Sequence, residues 1–198
     1  NPYTDEDYFA YVDGKPRYNG VRDFFASRGI TLPEGDPSDG PAAQTICGLG
    51  NRKNDLFNTV LARDGIQPYP GSRRWVDRLH ESGMAMAVVS SSRNAAAVLK
   101  AAGMVEDFSV LVDGNRSKTE RLPGKPAPDT YLRGAELLGV PAEQCVVVED
   151  AVSGVRAGAA GGFGMVLGVN RGVGADRLRE AGADRVVDDL DEMVEEMA

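Results

Sequence analysis

The sequence predicts an α/β fold, a Rossmann-like doubly wound parallel sheet that carries a helical cap domain. Two observations predict it. From residue 68 onward, short β-branched apolar runs alternate with amphipathic stretches of helical period, the order that builds a parallel sheet covered on both faces. Before that point nothing alternates with period two, and apolar residues recur only at helical spacing. A chain of 198 residues can bury one good core, or one core plus a small accessory unit. The expected organisation is a helical cap over residues 1–67 and an α/β core over residues 68–198.

In the cap, Val21, Phe24 and Phe25 share a helical face, and Gly29 is placed to stop that helix. Leu56, Phe57, Val60 and Leu61 repeat the pattern, with Gly65 as the next stop. Residues 31–43, rich in Pro, Gly and Asp, form the loop between them, and Pro68-Tyr69-Pro70-Gly71 links cap to core. In the core the expected strands are 84–90, 109–112, 145–149, 165–169 and 185–187. The expected helices are 72–82, 94–102, 129–138, 152–160 and 175–181.

Composition narrows the function. At 42% hydrophobic and 26% charged residues the chain is globular. A net charge of -8 argues against a nucleic-acid surface, since Arg52-Lys53 and Arg73-Arg74 are too short to track a phosphate backbone. No apolar run approaches the length of a membrane span. Cys47 and Cys145 are far apart without metal or redox spacing, which reads as two buried thiols in a cytoplasmic protein. His80, the lone histidine, lies in a polar stretch and is assigned no chemistry.

Three polar clusters follow expected strands or open expected helices. The run Val146-Val147-Val148 ends in Glu149-Asp150, and in open α/β sheets chemistry sits outside the carboxyl ends of strands. Adjacent carboxylates there either cap the next helix or hold a divalent metal. Ser90-Ser91-Ser92-Arg93-Asn94 offers hydroxyls and backbone N–H groups suited to an anionic oxygen, although one serine is expected to cap the following helix. Gly124-Lys125-Pro126-Ala127-Pro128-Asp129 stiffens the chain after Lys125, and Asp129 can cap the next helix. This lysine is either an ordinary surface residue or a fixed positive charge. If the sheet is doubly wound, the three clusters meet at one edge and supply hydroxyls, a cation and an acid pair, a set fit for phosphoryl transfer.

Together these residues resemble the haloacid dehalogenase superfamily: its second, third and fourth motifs at Ser90, Lys125 and Glu149-Asp150, in order, with a helical cap before the core. The resemblance is closest to the subgroup of β-phosphoglucomutase and its phosphatase relatives, through Arg52-Lys53-Asn54-Asp55, Tyr69-Pro70-Gly71 and the serine and lysine clusters. It implies that Ser90 binds the transferring phosphoryl group, Lys125 neutralises it, and Glu149 with Asp150 holds Mg²⁺. It implies that Arg52, Lys53 and Asn54 contact the sugar or its distal phosphate, with Ser91, Ser92, Arg93 and Asn94 assisting. The implied reaction interconverts β-glucose 1-phosphate and glucose 6-phosphate through an aspartyl-phosphate. The alternatives are a phosphatase of small sugar phosphates and a non-catalytic sugar-phosphate binder.

The family's nucleophile is an Asp in a D-x-D motif that ends a strand opening the core. No such strand is legible here. Asp13-Gly14 follows Tyr11-Val12, but its polar flanks mark a turn, and Asp13 is rejected as nucleophile. The resemblance places the first strand between those ending at Ser90 and Glu149. Leaving both edges unpaired would cost about 1–3 kcal/mol per buried group. The expectation is therefore a fragment without that strand and the first cap helix, with a partial cap and inactive alone. A domain of a larger fusion protein stands as a further expectation.

Overall fold

The computed structural model describes residues 2–196. The chain divides into two compact units, Asn1–Ile66 and Gln67–Ala198.

The first unit is helical. Its opening turn, α1 (Asp5–Asp7), is held by a reciprocal capping box: the Thr4 hydroxyl accepts from the Asp7 amide, and the Thr4 amide donates to Asp7 Oδ2 at 3.0 Å. A π-helical turn, Tyr8–Val12, follows and is closed by the Asp13 amide on the Tyr8 carbonyl at 2.9 Å. Asp13-Gly14 is a turn, with Gly14 at φ 67°. Helix α2 (Arg17–Ser27) ends before Gly29 at φ 69°. Helix α3 (Ile46–Asp64) starts on Thr45, whose hydroxyl accepts from the Gly48 amide at 2.9 Å, and stops at Gly65.

The expected loop over 31–43 is pinned to α3 by Asn51, whose Nδ2 donates to the carbonyls of Asp39 (2.8 Å) and Pro37 (3.1 Å) while its Oδ1 accepts from Tyr18 Oη at 2.9 Å. The inner end of α3 buries Ile46, Cys47, Gly48 and Gly50, with α2 packed against the helix. The apolar stripe expected farther along α3 is not buried: Leu56, Phe57 and Val60 are exposed.

Gly48 is required by packing. A Cβ there would lie 2.8 Å from the Ala43 Cβ and inside contact distance of the Ala43 carbonyl oxygen, which is backbone and cannot rotate away. In an open helix Gly→Ala stabilises by about 1 kcal/mol. Here Gly48→Ala is expected to destabilise by about 1–3 kcal/mol, the cost of overpacking. Urea denaturation checks this, with Gly40→Ala as control, since a Cβ at Gly40 meets nothing within 4 Å.

The second unit is α/β, as the sequence predicts. In chain order its elements are α4 (Pro70–Glu81), β1 (Ala87–Val89), α5 (Ala95–Ala101), β2 (Val110–Val112), α6 (Gly114–Thr119), α7 (Asp129–Leu138), β3 (Val146–Glu149), α8 (Val152–Ala160), β4 (Met165–Val169), α9 (Ala175–Glu180), β5 (Arg185–Val187) and α10 (Asp191–Glu196). The strands are parallel and pair in two groups, β1-β2 and β3-β4-β5. The register sets Val147 beside Val166 and Leu167 beside Arg185.

The period-two alternation of β4 explains how both faces of the larger group are covered. Leu167 and Val169 join Val187 and Leu190 in a buried cluster that packs against Trp75 of α4 and Met193 of α10. Val166 and Gly168 turn the other way. Gly158 of α8 lies against Val147 and Val166, and Gly168 lies against Leu178 of α9. Helix α7 packs across β1 and β2, with Gly134 against Val89. Arg73 ties α4 to the turn at Asp107 through a two-pronged ion pair.

Candidate active site

Strand β3 carries Glu149 to its carboxyl end, and helix α7 begins beside it. The segment Lys125 to Pro128, with a cis peptide between Lys125 and Pro126, runs into α7. It sets the Lys125 ammonium on Glu149 Oε1 in a direct ion pair. Both side chains are buried, at 5% and 9% exposure. Tyr131 Oη donates to the same Oε1 at 2.7 Å, and its ring lies under the ammonium, 4.6 Å from Nζ to the centroid. Glu149 Oε2 accepts from the amides of Asp150 (3.0 Å) and Ala151 (2.9 Å). Burial alone would raise the Glu149 carboxyl. The Lys125 charge, the bonds from Lys125 and Tyr131 and the Ala151 amide together hold it below the usual carboxylate range. Burial, then the Glu149 charge, pushes the Tyr131 phenol far up, so it stays a donor.

Room for this carboxylate comes from Gly154 in the first turn of α8. A Cβ there would overlap Oε1 and Cδ and lie 2.7 Å from Cγ of Glu149.

The arrangement bears on three readings of the sequence. Of the two roles open to Glu149 and Asp150, the cap of α8 is not taken: Ala151 is the N-cap residue, and Glu149 only accepts from its amide. Glu149, expected to ligate metal, has both oxygens engaged by Lys125, Tyr131 and the Asp150 and Ala151 amides, and its role toward a metal stands as a proposal. Asp129 does not cap α7 either; Pro128 occupies that position, and Asp129 sits in the first turn, where a negative charge suits the helix dipole.

Magnesium, implied by the resemblance, can be tested against the donors present. Asp150 is exposed at the strand end and is an oxygen donor of the type a hard cation prefers. Among the described residues no group of three acidic, histidine or cysteine side chains converges to hold a metal ion. The described residues thus supply one suitable carboxylate and no complete metal site.

The serine cluster lies at the corresponding end of β1. Ser90 Oγ accepts from the Ser92 amide and Ser92 Oγ from the Asn94 amide, each at 3.1 Å, but no serine caps α5: Asn94 is its N-cap residue, and the serine bonds stay in the turn before the helix. Ser91, Arg93 and Asn94 are half-buried in the same turn. Two residues that sequence reasoning passed over hold this turn. Asn115 Nδ2 donates to the Arg93 carbonyl at 3.0 Å, and buried Asp113 accepts from the Asn115 and Arg116 amides, capping α6. Asp113 follows a strand and precedes a polar stretch, an N-cap signal that could have found it. The structure therefore joins Lys125 to Glu149 directly and places Ser90 at the carboxyl end of β1, in the other strand group. Arg52 and Lys53 are exposed and Asn54 half-buried on α3 of the other unit.

Two D-x-D spacings exist in the chain, one in helix α1 and one after β5, and neither ends a strand that opens the core. Asp7 of Asp5-Glu6-Asp7 pairs with Arg28 at 2.5 Å and closes the capping box. Asp189-Leu190-Asp191 follows β5, but Asp189 pairs with Arg171 at 2.8 Å and Asp191 with Arg74. Arg171 in turn stacks on Tyr69, 3.9 Å from the ring centroid, which anchors the start of α4.

The profile of haloacid dehalogenase-like hydrolases matches residues 3–162. A β-phosphoglucomutase of Mycobacterium bovis is 49% identical over 191 residues, covering 95% of this chain and 73% of that protein. Hexitol phosphatase A of Escherichia coli is 33% identical over 190 residues, covering 95% and 77%. Among solved structures, a putative β-phosphoglucomutase from Thermotoga maritima superposes with a TM-score of 0.68 at 25% identity, covering 99% of this chain and 83% of that one.

Proposed function

The chain belongs to the haloacid dehalogenase-like hydrolase family, and from that premise we propose that it takes part in phosphoryl transfer on a sugar phosphate, as a β-phosphoglucomutase. One observation carries the reading: a buried lysine held on a strand-end carboxylate, at the place where an open α/β sheet does its chemistry. Phosphoryl transfer spreads charge over the equatorial oxygens of the moving group, so the enzyme's main task is to hold that group and neutralise it. Lys125 is suited to the neutralising role because Glu149 fixes its position without an exposed side chain's loss of entropy. Ser90 and the neighbouring amides are the proposed cradle for the phosphoryl oxygens, with Ser91, Ser92, Arg93 and Asn94 shaping it. Asp150 is the proposed carboxylate toward a divalent cation, which would supply charge stabilisation in such a reaction. Transfer through an aspartyl-phosphate takes a carboxylate nucleophile. The described residues assign none, so the roles proposed for this chain are binding and charge neutralisation.

The 49% identity to a β-phosphoglucomutase favours the mutase, and the 33% identity to a hexitol phosphatase supports the phosphatase as second reading. The two differ in chemistry. A mutase must grip a bisphosphorylated intermediate and needs a second anion site, for which Arg52 and Lys53, with Asn54, are the proposed residues. Conversion of β-glucose 1-phosphate to glucose 6-phosphate tests the proposal in the protein as encoded. Lys53→Ala is expected to lower mutase turnover by more than about tenfold while leaving hydrolysis of a small aryl phosphate within about twofold. Equal loss of both activities would count against the two-site reading.

A further inference from the structure

Resting on the reading above, we propose that Tyr131 is a positioning residue: it fixes the Lys125 ammonium at the candidate phosphoryl site by holding both partners of the ion pair at once. A lysine on a four-carbon stem is poorly located by one ion pair, which sets a distance and leaves direction open. Tyr131 supplies what is missing. Its hydroxyl donates to the very oxygen that receives Lys125, so the carboxylate cannot turn without breaking a 2.7 Å bond. Its ring presents a π face to Nζ at 4.6 Å, a second attraction from a different direction. Glu149 Oε2 is meanwhile held by two amides, which leaves the carboxylate no spare rotation.

Tyr131 is itself located by its surroundings. It is 7% exposed, in the sheet-facing stripe of α7 with Thr130, Gly134 and Ala135. The Phe163 ring meets it edge-on, with centroids 6.0 Å apart at 78°. Gly161 lets Phe163 approach, since a Cβ there would lie 2.7 Å from Phe163 Cδ2. A leucine would fill the same apolar site. What only tyrosine offers is a ring under the ammonium and a hydroxyl on the carboxylate together.

The test uses Tyr131→Phe, which keeps the ring and loses the hydroxyl, and Tyr131→Leu, which loses both, in the protein as encoded. For the sugar phosphate turned over by wild type, kcat is expected to fall about ten- to 150-fold in Tyr131→Phe, the size of a lost hydrogen bond to a charged group, and further in Tyr131→Leu. KM is expected to stay within about twofold. Reductive methylation read by mass spectrometry supplies a readout independent of turnover: Lys125 is expected to react slowly in wild type, faster in Tyr131→Phe and fastest in Tyr131→Leu. A folded Tyr131→Leu with wild-type kcat, or with wild-type labelling of Lys125, overturns the proposal. If wild type turns over no phosphate ester, the functional reading falls, and the labelling series alone decides whether Tyr131 holds the lysine.

Discussion

Lys125→Met is expected to cost the protein both its chemistry and much of its stability, and the two losses are separable. The side chain removed is the cation proposed to meet the transferring group. Loss of one preorganised electrostatic contact of this kind lowers kcat by roughly 10²–10³-fold. The stability loss arises because Glu149 remains behind, buried and charged, with only Tyr131 and two amides for partners. Breaking one side of a buried pair costs about 3–5 kcal/mol, whereas replacing both sides with apolar groups is often neutral. The double variant Lys125→Met/Glu149→Gln, which removes both charges yet keeps a side-chain oxygen to accept from the Asp150 and Ala151 amides, is therefore expected to recover much of the stability and none of the activity. Urea denaturation and a turnover assay on the same samples check this. A double variant as unstable as Lys125→Met would mean that the pair is not what the site depends on.

The pH dependence of the same variants has a sign that follows from Glu149. In wild type its carboxyl is held below the reference value of 4.5. Its contribution to stability is then fully present above that value and is lost as pH falls through the lower folded-state pKa. In Lys125→Met the first of the lowering influences is gone, and burial, the largest influence on this group, is opposed only by the bonds from Tyr131 and the Ala151 amide, so the carboxyl is raised relative to wild type. A carboxyl raised relative to wild type contributes less stability at neutral pH, and the difference is relieved as it takes up a proton. The stability gap between wild type and Lys125→Met is thus expected to narrow as pH falls from neutral toward 5. A gap independent of pH over that range would contradict the buried pair.

Parts of the core were legible because their sequences satisfy one rule at a time. The stretches 165–169, 185–187, 129–138 and 152–160 have the expected boundaries, since each is an apolar run or stripe closed by glycine or polar residues. The strand expected over 84–90 shrinks to Ala87–Val89: the Met84 amide closes the end of α4 on the Leu79 carbonyl, and its side chain is exposed. Helices α6 and α10 escaped notice because Gly-Asn-Arg-Ser-Lys-Thr has no apolar period, and Asp191–Glu196 places only Met193 and Val194 among acids. The site was legible as separate polar clusters but not as pairings. That Glu149 turns inward depends on Lys125 and Tyr131, 24 and 18 residues away in sequence, as well as on the amides of the next two residues. Tyr131 gave no signal at all, because an aromatic residue on the apolar stripe of a helix reads as core.

Gly154 is the position where a single methyl group is expected to undo the site. Alanine is favoured over glycine in a helix by about 1 kcal/mol, so on propensity alone Gly154→Ala in α8 would stabilise the protein. The geometry reverses the sign. The added Cβ would occupy the space of the Glu149 carboxylate, and buried Val155 beside it leaves the helix little freedom to shift away. Glu149 must then swing from its amides and release Lys125, and misplacing a catalytic group by about 1 Å costs on the order of 10²-fold in rate. Overpacking adds a stability loss of about 1–3 kcal/mol. The mechanism predicts a specific non-additivity. In a Glu149→Ala background the space is already vacant, so adding Gly154→Ala should cause no further loss of stability and should restore the ordinary alanine gain. A double-mutant cycle by urea denaturation measures this coupling. If the two losses simply add, the glycine is serving helix packing in general, and the carboxylate is not what it makes room for.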